Sequence, residues 1–384
     1  MTSEIMIVSG EASGDLHGAG LVRALRKRES DLHFFGMGGP ELAGAGTELL
    51  YDAARLSVVG IQEVFSHLGD IIAARRTLLK AMGERRPKLL ILIDFPDFNL
   101  MLAARAKKLG IPVFYYISPQ VWAWRSGRVK KIGRLAQRIA VILPFEQEYY
   151  RQQGYAVDFV GHPLLDTVTT AVPREEFLRG QHIDPASTVV GLLPGSRHKE
   201  IVSLLPDFLA AAERLAQSLP GKCVFLVPRA PTVSPQLLLD NGIAAYRDRL
   251  DIRVLAENRY DLMAACDAAV AASGTVTLEL AILGVPTVAT YRLSPHTYRL
   301  GKLLVKLPWF SLVNLIAGHE VIPELLQDEV TPAAIAGRLG RMLREGDERQ
   351  HLLQGLAEVR NKLGSPGAAG RAADLALSII RRHD

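Results

Sequence analysis

Residues 268–282 read AAVAASGTVTLELAI and carry the clearest fold signal in the chain. The first five, Ala268–Ala272, form a short continuous apolar run, which is typical of a strand covered on both faces in a parallel sheet. Ser273 and Gly274 then supply a turn of small residues, and the pattern that follows is helical. The stretch therefore predicts one strand–turn–helix unit of an α/β fold.

Similar apolar runs on either side of this unit alternate with helical segments. The predicted strands are Ile5–Ser9, His33–Gly36, Leu89–Asp94, Val113–Ser118, Ile139–Leu143 and Phe159–Val160 in the first half, and Val189–Leu193, Val224–Val227, Ile252–Leu255, Ala268–Ala272 and Thr287–Tyr291 in the second. Two such series predict two Rossmann-like, doubly wound parallel-sheet domains facing a cleft. This architecture serves many functions, so it does not assign one.

The alternation of strands and helices breaks near Leu164–Arg174. We therefore predict an N-terminal domain over residues 1–168 and a second domain over residues 169–345. Residues 346–384 are predicted to form C-terminal helices that could pack back on the N-terminal domain.

Composition limits the class of protein and of partner. The 384 residues are 48% hydrophobic and 22% charged, which is usual for a soluble globular protein, and the formal net charge is +5. A positive excess suits an anionic partner, whether nucleic acid, phospholipid or a phosphorylated substrate. We see no signal peptide and no apolar run of the ~18 residues needed to span a bilayer, so we expect a cytoplasmic protein. Cys223 and Cys266 lie in apolar runs and are expected to be buried thiols.

Two loops of the second half have the composition of phosphate-binding turns. Gly195, Ser196 and Arg197 follow a strand and can present backbone amides and a guanidinium to a diphosphate. Ser273, Gly274 and Thr275 follow another strand and open a helix, and Glu279, one turn in, could accept hydrogen bonds from a ribose diol. Each loop alone could be a plain surface turn or helix cap. Together they are a stronger signal, because both lie at the same edge of one sheet.

The first half offers a carboxylate and a glycine loop. Asp94 ends a buried strand, where partial burial would raise its pKa toward that of a useful base, whereas Asp97 could merely cap the next helix. The loop after the first strand contains Gly10, Ser13 and Gly14 and precedes a helix; it could approach a phosphate or be a simple turn. No D-x-D sequence occurs, so we predict no metal site.

Two stretches mix basic and aromatic residues in a way that suits contact with anionic lipid. The predicted membrane or acyl contacts are Trp122, Trp124, Arg125, Arg299, Lys302 and Trp309. The alternative for each stretch is a core-packed helix with a solvated basic face.

Taken in order, these motifs resemble those of a known family. The strings SGEASGD (9–15), IDFPDFN (93–99), VWAWR (121–125), PGSR (194–197), SGT (273–275) and LVNLIAG (312–318) are similar to those of lipid-A-disaccharide synthase, and the resemblance covers nearly the whole chain. It implies a two-domain inverting glycosyltransferase of the GT-B type, without a cofactor, on the cytoplasmic surface of the inner membrane. The implied substrates are UDP-2,3-diacylglucosamine and 2,3-diacylglucosamine 1-phosphate, which give a lipid A disaccharide 1-phosphate and UDP.

The resemblance also implies roles for particular residues. Gly195, Ser196 and Arg197 would bind the diphosphate, and the Ser273–Glu279 stretch would bind phosphate and ribose. Asn314 would contact the nucleotide, although Val313 stands where the family often has proline. Asp94 would be the base, with Asp97 the second choice. A homodimer with exchanged C-terminal segments is a further implication.

Two alternatives belong to other functional classes. A UDP-N-acetylglucosamine 2-epimerase has the same architecture but needs only a soluble sugar nucleotide, which would leave the basic aromatic stretches unexplained. A non-catalytic protein that binds nucleic acid or an anionic membrane would leave the phosphate loops without a purpose. Because no nucleic-acid-binding motif is recognisable, we expect no nucleic-acid partner.

Overall fold

The structure, a computed structural model, describes residues 3–56, 68–122, 127–293, 298 and 307–383. Over these residues the chain forms one parallel sheet of seven strands and one of six, which belong to two separate units. The prediction of two doubly wound α/β domains is confirmed. Each domain forms a parallel sheet because its central strands are continuous apolar runs that are buried on both faces, as the sequence indicates.

The first unit is built on the seven-stranded sheet. Its strands are β1 (Ser3–Ser9), β2 (Leu32–Gly38), β3 (Glu48–Asp52), β4 (Leu89–Ile93), β5 (Val113–Tyr116), β6 (Arg138–Val141) and β7 (Asp158–Phe159). Its first helices are α1 (Ala12–Arg28), α2 (Pro40–Gly44), α3 (Leu68–Arg85), α4 (Pro96–Lys108), α5 (Arg128–Leu135) and α6 (Pro144–Gln152), with a 3₁₀ turn at Ala53–Arg55. The spatial order β3-β2-β1-β4-β5-β6-β7 reverses direction between β1 and β4.

The second unit is built on the six-stranded sheet. Its strands are β8 (Thr188–Leu193), β9 (Cys223–Pro228), β10 (Asp251–Leu255), β11 (Ala268–Ala272), β12 (Thr287–Tyr291) and β13 (Glu324–Leu326). Its helices are α7 (Leu164–Thr167), α8 (Arg174–Gly180), α9 (His198–Ser218), α10 (Pro235–Leu238), α11 (Ala244–Tyr246), α12 (Arg259–Ala264), α13 (Thr275–Ile282), α14 (Leu312–Ala317), α15 (Pro332–Met342) and α16 (Asp347–Lys362), with a π-helical turn at Leu239–Ile243 and a 3₁₀ turn at Gln327–Glu329. The order β10-β9-β8-β11-β12-β13 reverses between β8 and β11.

The last helix, α17 (Ala368–His383), packs on the first unit, in the way considered for the C-terminal helices, whereas α16 stays with the second unit. The contacts divide the chain into Met1–Pro163 with Leu363–Asp384, and Leu164–Lys362. The boundaries therefore differ from those predicted at 168 and 345. The physical reason is that α16 packs on α13 and α14, whereas α17 packs along α1.

Several contacts fix α17 on the first unit. The Arg28 Nε donates to Asp374 Oδ1 at 2.6 Å, and the Arg371 Nε donates to the Val160 carbonyl at 2.9 Å. The apolar face of α17 joins the core formed by α1 and one face of the sheet. In the described part of the chain, no helix is both long and apolar enough to cross a membrane.

Candidate active site

A cavity of about 630 Å³ lies in the second unit at the carboxyl ends of β8 and β11. The strand order reverses between these two strands, and open α/β sheets bind their ligands at such a point. The volume falls within the range of small-molecule sites, roughly 300–1,000 Å³. Most of the predicted nucleotide-binding residues line this cavity: Gly195, Ser196, Arg197, Ser273, Gly274, Thr275 and Glu279. The structure therefore brings together two loops that lie 78 residues apart in the sequence.

The turn after β8 is organised around the carboxylate of Glu200. Its Oε2 accepts hydrogen bonds from the backbone amides of Ser196 (3.1 Å) and Arg197 (3.2 Å), and its Oε1 accepts one from the Arg197 Nη1 at 3.0 Å. Gly195 has a φ of +107°, and a Cβ there would come within 2.2 Å of Glu200 Oε2, so only glycine fits. The amides expected to meet a diphosphate thus bind Glu200, and the exposed Arg197 guanidinium is the group that reaches outward.

The turn after β11 brings a helix N-terminus to the cavity. Gly274, Thr275 and Val276 line it, and α13 begins at Thr275. The neighbouring strand β12 fixes the turn, because the Ser273 amide donates a hydrogen bond to the Thr290 carbonyl at 2.7 Å. A helix start carries amides without intrahelical partners and a partial positive charge, so this wall of the cavity suits an anion.

Glu279 lines the same cavity but is 95% buried. Its Oε1 accepts a hydrogen bond from the Arg259 Nη2 at 2.7 Å and lies 3.4 Å from the Tyr260 hydroxyl. Burial raises the pKa of the Glu279 carboxyl, and Arg259 and Tyr260 oppose that rise. Sequence reasoning missed Arg259, Tyr260 and Glu200. The one available signal was the position of Glu200 three residues after the turn, which is the spacing of a capping box.

Asn314 does not line this cavity and is fully buried. Its Nδ2 donates to the Ile322 carbonyl and to Glu324 Oε1, both at 2.8 Å. Its Oδ1 accepts from the amides of Val321 (2.8 Å) and Ile322 (3.0 Å). All four of these hydrogen bonds fix the loop before β13, and they occupy the amide that was predicted to contact the nucleotide.

In the first unit, Asp94 follows β4 at the point where the strand order reverses. Its φ is +42°, and Phe95 follows with +44°, so two consecutive non-glycine residues are left-handed. The Asp94 carbonyl accepts hydrogen bonds from the Tyr115 hydroxyl (2.6 Å) and the Asn99 Nδ2 (2.8 Å). Strained backbone of this kind costs about 1–3 kcal/mol per residue and persists where its surroundings fix it, often at functional sites.

Burial sets the proton affinity of Asp94. Desolvation, assisted by the nearby charge of Glu11, raises the pKa of its carboxyl to about 6, while a hydrogen bond from the Phe95 amide lowers it. Asp97 lies in a different environment: its side chain is 76% exposed and forms an ion pair with Arg128. The arrangement favours Asp94 as a proton acceptor, because a general base works best with a pKa near the working pH.

The predicted glycine loop of the first unit has a packing explanation. A Cβ on Gly10 would lie 2.4 Å from the Phe95 ring, and one on Gly14 would lie 2.5 Å from the Ser9 Oγ. Gly10 therefore lets the turn between β1 and α1 approach the strained Asp94–Phe95 turn, whereas Gly14 lies inside α1 and lets that helix pack closely on Ser9 and Ile93. Ser13 is exposed in the first turn of α1.

The aromatic residues predicted to contact membrane differ in their surroundings. Trp122 is half-buried; its Nε1 donates to Glu146 Oε1 at 3.2 Å, and its ring meets Phe145 edge-on at 5.0 Å. Burial raises the pKa of the Glu146 carboxyl to about 8. The sequence did not single out Glu146. Trp309 is half-buried. The remaining predicted contacts lie outside the described residues: Trp124, Arg125, Arg299 and Lys302.

Solved structures with little sequence similarity share the whole fold. The calicheamicin glycosyltransferase CalG4 superposes with a TM-score of 0.66 at 16% identity, covering 100% of this chain and 99% of its own. A putative UDP-N-acetylglucosamine 2-epimerase from Listeria monocytogenes gives 0.65 at 13% identity, covering 100% and 97%. These similarities show the two-domain GT-B fold. They do not separate a transferase from an epimerase.

Sequence relatives distinguish the transferase from the epimerase. A model of the lipid-A-disaccharide synthetase family matches residues 5–374. The lipid-A-disaccharide synthase of Trichlorobacter lovleyi is 48% identical over 380 residues, 98% of each chain. That of Geobacter sulfurreducens is 47% identical over 381 residues, 99% of this chain and 98% of its own. Identity at this level over nearly the full length of both chains makes this protein a member of the lipid-A-disaccharide synthetase family, and so a glycosyltransferase.

Proposed function

We propose that the protein joins UDP-2,3-diacylglucosamine to 2,3-diacylglucosamine 1-phosphate, giving a β-1,6-linked lipid A disaccharide 1-phosphate and UDP. The observation that carries this proposal is the cavity of the second unit, where Arg197, Glu279 and the start of α13 meet. A guanidinium and a helix N-terminus suit a diphosphate, and a buried carboxylate suits a ribose diol. Relatives of nearly the same length carry the name of this activity.

Departure of UDP needs stabilisation of the charge that develops on the diphosphate. A helix N-terminus supplies about 0.3–2 kcal/mol. A charge-assisted hydrogen bond supplies about 1.5–3 kcal/mol. Neither is enough alone, so several donors must converge on the leaving group. The chain lacks the D-x-D sequence that usually clamps a divalent metal on such a diphosphate, so we assign this role to Arg197 and the start of α13.

Asp94 is the proposed base. The acceptor 6-hydroxyl attacks the anomeric carbon on the face opposite UDP, the new C–O bond forms as the bond to the diphosphate breaks, and the hydroxyl proton passes to the Asp94 carboxylate. The anomeric centre is thereby inverted. A carboxyl whose pKa is about 6 is ionised at neutral pH and still a better base than an ordinary aspartate.

The direct test supplies the purified protein with both lipid precursors in a chelating buffer. We expect UDP and a disaccharide phosphate in equal amounts, at a rate that added EDTA does not change. Mass spectrometry of the lipid and enzymatic assay of UDP measure the two products.

Controls in the same test address the alternatives. UDP-N-acetylglucosamine supplied alone should remain unchanged, since epimerisation at C2 would indicate the epimerase instead. A rate that collapses in EDTA and returns with Mg²⁺ would contradict the proposed role of protein donors. Absence of any disaccharide would contradict the proposed function itself.

We also propose that the protein works at the cytoplasmic surface of the inner membrane. Support comes from α5, which buries Val129 and Ile132 and exposes Lys130, Lys131 and Arg134. Basic residues near an anionic surface contribute about 1 kcal/mol each. The variant K130E/K131E/R134E should therefore bind vesicles of anionic phospholipid at least ~100-fold more weakly in a sedimentation assay.

A matched charge reversal controls for the change in net charge. The variant R338E/R341E/R344E alters three exposed arginines on and just after α15, in the other unit. It should keep nearly all vesicle binding. Equal losses in both variants would show that net charge, and not α5, attracts the protein to the vesicles.

The exchange of C-terminal segments between two copies stays a prediction. It would concern α17, which in the single chain packs on α1, and it bears on Asn314 only if the exchanged segment begins before that residue.

A further inference from the structure

Arg259 is a part of the nucleotide cavity to which neither sequence nor family similarity gives a role. It is the first residue of α12 and follows Asn258, whose backbone is left-handed with a φ of +53°. Arg259 lines the cavity, and its side chain is 56% exposed while that of Glu279 is 7% exposed. An arginine at the rim thus holds a carboxylate in the interior.

Three side chains form a closed set of contacts. The Arg259 guanidinium donates to Glu279 Oε1 at 2.7 Å and to the Tyr260 hydroxyl, and it lies over the Tyr260 ring with its central carbon 4.5 Å from the ring centre. The Tyr260 hydroxyl is itself 3.4 Å from Glu279 Oε1. Both contacts to the carboxylate, from Arg259 and from Tyr260, use Oε1. Among the described residues, Glu279 Oε2 has no hydrogen-bond partner, and it is the oxygen left to accept from a ligand.

We propose that Arg259 is a positioning residue for recognition of the ribose diol of a nucleoside diphosphate: by pairing with Oε1, it keeps Glu279 ionised and directs Oε2 to the 2′- and 3′-hydroxyl groups. This inference rests on the proposed function. An ionised carboxylate only accepts hydrogen bonds, so it can accept one from each hydroxyl group of the diol, whereas a neutral carboxyl offers one good acceptor and a competing donor. A carboxyl this deeply buried tends to take up a proton unless a cation is beside it.

The charged surroundings of Glu279 are simple. From α12, Arg259 and Tyr260 face it, and of the described ionisable groups these two alone act on its pKa. The remaining ionisable residues of the cavity are Arg197, Glu200 and Arg229. Arg197 is paired with Glu200, and the Arg229 Nη1 donates to the Val233 carbonyl, so neither arginine substitutes for Arg259.

The test compares UDP with 2′-deoxy-UDP by titration calorimetry. These ligands share the base and both phosphates, so the ratio of their dissociation constants isolates the 2′-hydroxyl and cancels the titration of the phosphates. The wild-type protein should prefer UDP by about tenfold to hundredfold, the worth of one hydrogen bond to a charged group. Glu279→Gln should bring the ratio close to one.

Arg259→Ala should lower the UDP preference to a few-fold at about pH 6.5 and restore it as the pH rises through the pKa that Glu279 then has. The wild-type ratio should stay flat over that range. Arg259→Lys should keep most of the preference, because it retains the charge. Arg247→Ala, an exposed arginine of the same unit outside the cavity, is the matched control and should behave as wild type.

Three results would overturn the inference. One is an unchanged ratio in Arg259→Ala at every pH. Another is a weakening shared equally by both ligands, which would assign Arg259 to the phosphates or to the fold. The third is a wild-type protein that binds UDP without any preference over 2′-deoxy-UDP. A wild-type protein that binds neither ligand would instead overturn the proposed function, and the inference with it.

Discussion

Asp94→Asn is expected to lower the turnover number for disaccharide formation by roughly 10²–10⁴-fold, the share that a positioned general base contributes. Asparagine tolerates the left-handed backbone at this position about as well as aspartate does, so the turn and its bonds to Tyr115 and Asn99 should survive. KM for both substrates should change little. A steady-state assay that measures UDP release checks the result.

Asp97→Asn is the matched control for this prediction. Its carboxylate is 76% exposed and pairs with Arg128, whose side chain is 12% exposed. Asparagine keeps an acceptor oxygen for that guanidinium, so the change should cost less than about threefold in turnover. A collapse in Asp97→Asn with near-normal turnover in Asp94→Asn would transfer the role of base to the second carboxylate.

The pKa of Asp94 gives the same prediction a pH dependence. The carboxyl accepts a proton from substrate only when ionised, so the wild-type turnover should fall as the pH drops through about 6. The raised pKa also means that the folded state binds this proton more tightly than the unfolded state does. Its contribution to the free energy of unfolding therefore becomes unfavourable as the pH rises from about 3.8 to about 6. Asp94→Asn should be more heat-stable than wild type at neutral pH and not at pH 3.8, a check that the variant is folded.

Arg197→Ala is expected to weaken UDP binding by roughly 10- to 150-fold, the equivalent of one charge-assisted hydrogen bond, and to lower turnover by at least ~10²-fold. Two effects combine. The diphosphate loses a cation, and the Glu200 carboxylate loses the partner that balances its charge in the cavity. Calorimetry with UDP and the transfer assay measure the two quantities separately.

The second effect can be isolated by removing the charge of Glu200. In Arg197→Ala/Glu200→Gln, the backbone amides of positions 196 and 197 keep an acceptor, while the negative charge of position 200 is gone. UDP affinity should therefore be about three- to tenfold higher than in Arg197→Ala alone. Arg179→Ala provides the matched control, because Arg179 forms an exposed 3.0 Å pair with Glu175 in the same unit. An Arg197→Ala variant with wild-type affinity and turnover would contradict the assigned site.

The central strands of both sheets were predictable, as were the edge strands β7 and β10, whereas the edge strands β3 and β13 were not. Continuous apolar runs such as Leu89–Ile93 indicate burial on both faces, so sequence alone places them inside a parallel sheet. β3 was missed because it pairs only with β2 and has no fully buried residue. β13 was missed because it has only three residues and pairs only with β12, at the edge of the second sheet. Both of these edge strands are partly solvated, so their sequences lack a continuous buried apolar run.

The candidate site was predictable where the backbone imposes a residue type. Glycine at position 195 reflects a positive φ and a close carboxylate, and small residues before α13 reflect a turn at a strand end. Glu200 was missed because its capping-box spacing indicates a helix start rather than a binding site, and Arg259 was missed because the first position of a helix has no distinctive pattern. The left-handed Asp94–Phe95 turn was also missed, since nothing local distinguishes a strained aspartate from a helix cap.

Asn314 shows the converse case. Family resemblance implies a nucleotide contact, whereas the structure accounts for every hydrogen bond of its amide within the loop before β13. A buried amide that fixes a loop and one that binds a ligand have the same sequence, so only coordinates separate the two roles.

The path of the chain also determines when each half can fold. The helix α17 fills one side of the first unit with Ala372, Ala373 and Leu377, yet it follows the whole second unit in the chain. During synthesis the first 163 residues leave the ribosome with the apolar flank of α1 uncovered, while the second unit needs nothing beyond Lys362. The nascent chain therefore holds an unfinished amino-terminal half while the second unit is being synthesised. Synthesis of α17 completes it, so a stop codon before α17 would damage the half of the enzyme that was translated first.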